Sequence, residues 1–279
     1  MSRATPAAQA RVQPARWRAE LLAIGCALLG VLARCTPWRS VFGGDGVLFF
    51  DVDPYYHLRR ARLIVEQFPA LPQFDPWIGF PWGASIPWPP GLDLLLALPA
   101  LLGASWQAVE VWAALLPPLL GGGAVYLVYR LGRQLLDPAA GLVAALLFAI
   151  LPGAAESALL GRADHHALVA PVVLAMYGTL LACLRAKTPR ASRWWGIGCG
   201  ALAALSVVGW TVTPPLYLAP LLVLLLALGG TSTRSAARRA AWYGLGSAAL
   251  LVALAVLLVG DLERRPFDLY QPSLFTLLP

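Results

Sequence analysis

The sequence predicts an all-α, polytopic membrane protein of about seven transmembrane helices, with a long first outer loop. Three observations predict it. Of the 279 residues, 59% are hydrophobic and only 13% are charged, against roughly 25% charged in an ordinary soluble domain. The apolar residues fall into runs that reach the roughly 20 residues a helical span needs. Lys and Arg cluster between those runs. A chain this apolar cannot cover itself with polar surface as a soluble monomer, and its composition is the opposite of a disordered one. Four cysteines are too sparse for a disulfide scaffold. The net charge of +7 raises nucleic-acid binding, but no basic patch interleaved with aromatic residues is present. The basic residues read as membrane-flanking charges, and no nucleic-acid partner is expected.

The elements follow in order. Residues 1–19 form a polar, basic, cytoplasmic tail, and the first span covers residues 20–37. The run from Leu21 to Ala33 before Cys35 has the outline of a signal peptide, but Arg34 stands where a small residue is required. Residues 38–91 concentrate Asp, Pro and Trp; a loop of this length is a folded unit, not a connector. Leu92 to Leu102 is apolar but too short to cross, so it reads as a re-entrant or interfacial helix closing a first outer loop of residues 38–106. Further spans are expected at 107–130, 139–160, 166–186, 194–213, 214–230 and 240–260. Pro117-Pro118 and Gly121-Gly122-Gly123 interrupt the second span, a break that neighbouring helices can accommodate. Pro214-Pro215 marks a sharp turn. Residues 20–279 thus make one transmembrane domain, without an internal repeat.

Orientation follows from the short loops. With a cytoplasmic N-terminus, most of the 21 basic residues fall on inner segments, while of the 14 acidic residues only Glu20 and Asp137 do. That is the positive-inside bias of a multi-pass cell-membrane protein. It places the loop after the first span and the connection 161–165 on the same outer face.

Both segments carry acidic motifs. The first is Asp51-Val52-Asp53-Pro54-Tyr55-Tyr56-His57-Leu58-Arg59-Arg60. The residue before proline avoids helical angles and Pro favours the first helical position, so Asp53 is expected to cap a helix starting at Tyr55. The second is Gly161-Arg162-Ala163-Asp164-His165-His166, which holds two of the three histidines. Alone, the first motif reads more readily as a helix cap, and the second reads equally as a cap or as a source of metal ligands. Together, at membrane depth in a chain poor in polar residues, they point to a functional site. Carboxylates with imidazoles suit Mg²⁺ or Mn²⁺. Zinc is disfavoured because Cys26, Cys183 and Cys199 lie in or beside apolar runs and read as packing residues.

These motifs resemble those of a known family, the catalytic subunits of asparagine-linked oligosaccharyltransferases in their prokaryotic single-subunit form. Phe80-Pro81-Trp82-Gly83, Trp88-Pro89-Pro90, Leu116-Pro117-Pro118 and Gly209-Trp210 support the resemblance, which covers nearly all of residues 20–260. It implies the GT-C membrane fold. It implies transfer of an oligosaccharide from a polyprenyl phosphate or pyrophosphate carrier to asparagine in an Asn-x-Ser/Thr acceptor. It implies Asp53, Asp164 and His166 as ligands of Mn²⁺ or Mg²⁺, with Asp53 also catalytic toward the acceptor amide. Asp51, His57, Arg59, His165, Trp88 and Trp210 are the candidate substrate-binding residues. Trp82, Trp88 and Trp210 are expected at the outer interface, near the groove for the lipid carrier.

The family's chains are usually longer, with a further outer loop and a soluble C-terminal domain bearing Trp-Trp-Asp-Tyr-Gly. No Trp-Trp-Asp occurs here; Trp194-Trp195 is followed by Gly196. These residues are therefore expected to be the N-terminal half of such an enzyme, as a truncated gene product, a fragment or one part of a split enzyme whose other half a second chain supplies, and not to complete glycosyl transfer alone. Two other classes fit part of the pattern: another GT-C glycosyltransferase that uses a polyprenyl-phosphate sugar, and a non-catalytic scaffold or transporter half. The Asp-His-His motif after the third span argues against the former. A transporter would place polar groups within its spans, and these are almost bare.

Overall fold

The structure, a computed structural model, describes residues 6–210 together with 243, 244, 247, 250, 251, 253 and 254. The expected span 214–230, most of 240–260 and the Pro214-Pro215 turn lie outside the described residues.

The chain is mostly helical. Helix α1 runs Pro6–Arg34 and is followed by the short α2, Trp38–Phe42. The outer loop then folds into α3, Asp53–Gln67, and two short antiparallel strands, β1 (Phe74–Asp75) and β2 (Ala84–Ser85). Phe74 pairs with Ser85 and Asp75 with Ala84. Helix α4, Gly91–Leu101, is the short apolar helix expected to close the loop. Helices α5 (Trp106–Leu135), α6 (Pro138–Ile150), α7 (Pro152–Ala155), α8 (His165–Leu184) and α9 (Pro189–Gly209) follow.

Local signals set the helix starts. Ser105, Asp137 and Thr188 each accept a backbone N–H at the head of α5, α6 and α9, respectively, the bond an N-cap exists to make. Pro138 and Pro189 stand at first helical positions, where a missing N–H costs nothing. Asp53 differs from expectation. It is the first residue of α3 rather than its cap, with Val52 in the cap position. The first turn of a helix has no intrahelical acceptor for its N–H groups, so Pro54 fits at the second position.

Among the described residues, α5 and α8 are long and apolar enough to cross a membrane. A third span exists if α6 and the segment from Pro152 to Ala158, bent by 79°, are counted as one. The expected straight span 139–160 is therefore broken at Leu151-Pro152. The opposite outcome holds in α5, which passes unbroken through Pro117, Pro118 and the glycine triplet. There Gly121 and Gly122 let α1 approach closely: a Cβ at Gly121 would run into the Arg34 side chain, and one at Gly122 into Val31.

Helices α1, α5 and α6 pack as one group, α8 packs on α5 and α9, and α3 packs on α4. The larger core lies beneath the outer loop, where Val41, Leu58, Ile64, Leu92, Leu96 and Val109 are buried together. Each such side chain contributes roughly 1.5–3 kcal/mol on leaving water. This core packs α3 and α4 against α5 and against Leu160 and Ala163 in the segment leading into α8, and so fixes the motif residues relative to one another.

Candidate active site

The segment before α8 is stitched to three neighbours. Leu160 N–H donates to the Arg34 carbonyl at 2.9 Å, Gly161 N–H to Ala114 at 3.0 Å, and the Gly161 carbonyl accepts from Phe50 at 3.1 Å. Gly161 has φ +78°, a left-handed conformation that favours glycine, and a Cβ there would press on Val41. The chain thereby turns sharply into Asp164.

Asp164 occupies the N-cap of α8 with extended backbone, yet its side chain makes no cap hydrogen bond. Its carboxylate is turned toward imidazoles. Oδ1 lies 2.7 Å from Nδ1 of His165 and 3.9 Å from Nε2 of His57, and Oδ2 lies 3.8 Å from Nε2 of His166. Burial works against ionisation of this carboxyl, but the close His165, with His166 and His57, overcomes it and holds the group down at about 2. Among the described residues, Asp164 Oδ1 is buried and accepts no well-aligned hydrogen bond. The ligand atoms of His57, Asp164 and His165 all lie within 4.8 Å of one another. Ligands at about 2.0–2.2 Å from a shared ion stand roughly 3–4.4 Å apart, so this donor set lies close to the spacing of a single divalent-cation site and reaches it with small side-chain adjustments.

The remaining motif residues surround this cluster at different distances. Asp53 is exposed at the start of α3, outside the tight three-residue group but within electrostatic reach of His166. His166 is the most exposed of the histidines, with 47% of its side chain accessible. Asp51 has φ +74°, and its Oδ1 accepts the Val52 N–H at 2.8 Å. Its Oδ2 stands 4.0 Å from Arg162, which also reaches Glu156 at 3.2 Å. An open cleft of about 160 Å³ is lined by Gly153, Glu156, Ser157, Arg162, Asp164 and His166. Arg59 points away from it and grips the buried Asp75 through two 2.7 Å hydrogen bonds; that contact holds the Asp75 carboxyl below its usual range.

The tryptophans divide in the same way. The Trp210 ring lies 4.9 Å from that of His165 and 4.8 Å from that of His166. Trp88 packs on Tyr56 at 5.3 Å, while Trp82 is 85% exposed. A second cleft, about 250 Å³, lies among Ala19, Tyr129, Arg133 and Asp137, far along α5 from the histidines.

Two residues behind the site are not among the sequence candidates, although Arg60 ends the first motif. Asp93 and Arg60 are buried behind His57, with Asp93 Oδ1 at 2.6 Å from His57 Nδ1 and Oδ2 at 2.7 Å from Arg60 Nη1. An ionisable residue inside the apolar run of α4 is the available clue.

This helical arrangement, with a carboxylate–histidine cluster at the head of a membrane-capable span, matches the GT-C fold of solved oligosaccharyltransferases. The chain superimposes on the crystal structure of the Archaeoglobus fulgidus oligosaccharyltransferase in complex with Zn and sulfate with a TM-score of 0.80 and 27% identity, over 92% of this chain and 33% of that one. Against the enzyme from the same organism bound to an inhibitory peptide and a dolichol-phosphate, the TM-score is 0.81 at 25% identity, over 94% and 32% of the two chains. The family model for "Oligosaccharyl transferase STT3, N-terminal" matches residues 26–268, and the chain belongs to that family. Dolichyl-phosphooligosaccharide-protein glycotransferase 2 of Archaeoglobus fulgidus is 34% identical over 140 residues, covering 50% of this chain and 23% of that protein. Glycotransferase 1 of the same organism is 32% identical over 151 residues, covering 54% and 25%. The chain thus spans about a quarter of the length of these curated relatives and about a third of the solved ones.

Proposed function

We propose that this chain serves the transfer of an oligosaccharide from a polyprenyl phosphate or pyrophosphate carrier to asparagine in Asn-x-Ser/Thr acceptors, and that it supplies the metal- and donor-binding part of that machinery. The observation that carries the proposal is the convergence of His57, Asp164 and His165 within 4.8 Å, in a chain matched by the family over residues 26–268. Solved relatives add support: one holds a dolichol-phosphate and an inhibitory peptide, and another is tethered to an acceptor peptide containing the NVT sequon.

Asp164 provides the anionic ligand, with His57 and His165 as nitrogen donors. Asp53 and His166, which the family pattern assigns as ligands, flank this cluster on its exposed side. The mixed nitrogen and oxygen set suits Mn²⁺ better than Mg²⁺, which prefers oxygen ligands in strict octahedral geometry. A bound divalent ion neutralises the charge that builds on a leaving phosphate. Arg162, on the rim of the cleft beside Asp164 and His166, offers the phosphate a second positive group. Asp53, exposed at the head of α3, stays accessible to the acceptor amide. Trp210 covers the histidines from α9 and shields them from water. The active face is extracytoplasmic and the N-terminus cytoplasmic, an orientation that the charge distribution of the loops supports.

The test uses membranes containing the chain, supplied with Mn²⁺, a lipid-linked oligosaccharide and an Asn-x-Thr peptide. Two quantities are measured: retention of the lipid donor by the chain, and formation of glycopeptide. Donor retention is expected to depend on Mn²⁺ and to disappear with Asp164→Ala; glycopeptide is expected, with the same dependence, in membranes that also contain the C-terminal half of the family's enzyme. Wild-type donor retention and glycopeptide yield in Asp164→Ala would overturn the reading.

A further inference from the structure

His57 is held from behind as well as in front. Its Nδ1 lies 2.6 Å from Asp93 Oδ1, and its Nε2 lies 3.9 Å from Asp164 Oδ1. Asp93 is fully buried in the apolar helix α4. Its second oxygen lies 2.7 Å from Nη1 of Arg60, itself only 2% exposed. A buried ion pair is a weak source of stability, because desolvation offsets most of its attraction and an apolar pair of similar volume serves as well. The placement of Asp93 and Arg60 therefore asks for a reason beyond folding.

The geometry at His57 supplies one. A carboxylate only accepts hydrogen bonds, so the short contact to Asp93 makes Nδ1 the donor. The lone pair of the neutral ring is then on Nε2, on the side facing Asp164. Asp164 Oδ1 is also an acceptor, and it lacks a well-aligned donor among the described residues. Two acceptors facing each other at this spacing repel unless a cation, or a proton on Nε2, lies between them.

We propose that Asp93 is a positioning residue: it fixes the tautomer and ring orientation of His57, presenting Nε2 to the divalent ion held by Asp164, while Arg60 supplies the countercharge to Asp93 within the core. This rests on the metal-binding reading of His57 and Asp164. Carboxylate partners behind a ligating histidine are the common means of orienting it, and their loss typically weakens metal affinity about 10–100-fold.

The experiment measures Mn²⁺ binding by the full 279-residue chain in detergent, by calorimetry, with neither donor nor acceptor present. Asp93→Asn keeps the shape of the side chain but no longer dictates which ring nitrogen carries the proton. It is expected to weaken Mn²⁺ binding about 10-fold. In a His57→Ala background the same substitution is expected to cause no further loss, because its effect passes through that ring. Equal losses in both backgrounds would mark a merely structural role and overturn the proposal, as would unchanged affinity in Asp93→Asn or no Mn²⁺ binding by the wild-type chain. A second readout is independent of the variants' folding: the ¹⁵N resonances of His57 in the metal-free wild-type chain are expected to show the proton on Nδ1, and a proton on Nε2 alone would overturn the assignment. Because the cation is the only probe, failure here leaves glycan transfer to be decided by its own assay.

Discussion

His57 on α3 and Asp164 at the head of α8, far apart in sequence, face each other at 3.9 Å, Nε2 to Oδ1. Asp164 sits at an N-cap without capping, which separates two roles that usually coincide. Loss of a working Asp cap costs about 1 kcal/mol. Asp164→Ala is therefore expected to leave the helix content of the metal-free chain unchanged, with any loss of stability coming from the His165 contact and not from a cap. The same variant is expected to weaken Mn²⁺ binding by more than about 100-fold, beyond the usual cost of losing an outer-shell partner. Circular dichroism and calorimetry check the two halves. A fall in stability with unchanged metal affinity would return Asp164 to a capping role.

Arg34 holds the broken span in place. It is fully buried, and its guanidinium donates to the carbonyls of Gly30, Ala149 and Ala154 at 3.0–3.3 Å. Ala149 lies in the last turn of α6 and Ala154 just beyond the bend, so one side chain serves carbonyls that the break leaves without helical partners. Arg34→Met keeps the stem and removes the donors. Each buried acceptor left unpaired costs about 1–3 kcal/mol, so a loss of about 3 kcal/mol or more is expected. It should appear as a lower thermal midpoint in detergent. Arg34→Lys should recover only part of it, since an ammonium lacks the planar fork that reaches several carbonyls at once.

The helical class and the motifs were legible in the sequence, because apolar runs and Asp-Pro or Asp-His-His clusters are local signals. What depended on packing was not. Pro117 and Pro118 read as an interruption, yet α5 continues through them, since neighbouring helices can re-satisfy backbone groups that proline frees. Pro152 was the true break, hidden in an apolar stretch that read as one span. The support behind the site had a signal that the motif obscured. His57, Arg60, Ala61 and Ile64 recur at helical spacing and are all buried, so two ionisable residues share the apolar stripe of α3. Asp93 likewise falls on the buried face of α4 with Leu92, Leu96 and Ala97. A polar residue on a core stripe requires a partner, and matching the two stripes points to one another.

Arg59 and Asp75 tie the two-stranded turn to α3. Asp75 is fully buried and also accepts the Trp77 N–H at 2.9 Å. The hydrogen bonds from Arg59 hold its carboxyl below the ordinary 3.8. A group with a depressed folded-state pKa stabilises the fold at pH above its unfolded value, and that contribution is lost as pH falls through the folded value. Stability of the outer loop is therefore expected to be flat from neutral pH down to about 4 and to decline below it. Asp75→Asn should remove this acid-limb dependence while lowering stability at neutral pH. Hydrogen exchange at Ile78 and Ile86, whose N–H groups donate to the Asp75 and Gln73 carbonyls, reads both effects locally. An unchanged acid limb in the variant would assign it to another carboxylate.

Trp210 closes the site from the opposite side. It follows the last residue of α9, its N–H donates to Ser206 at 2.9 Å, and its extended backbone carries the ring over His165 and His166. The contact to His166 is edge-to-face, with the planes at 80°, an arrangement that favours aromatic pairs by about 0.5–1.5 kcal/mol beyond area burial. Removing the ring frees both imidazoles to rotate and admits water beside Asp164. Trp210→Ala is thus expected to weaken Mn²⁺ binding about 2- to 10-fold, the same energy expressed as an affinity. Trp210→Phe, which keeps a ring of the same kind, should restore most of that loss. Retention of a lipid-linked donor separates shielding of the histidines from a direct carrier contact. If Trp210 acts only through the histidines, saturating Mn²⁺ restores donor retention in Trp210→Ala. If retention stays low at saturating Mn²⁺ while the Phe variant is normal, the ring itself lies against the carrier.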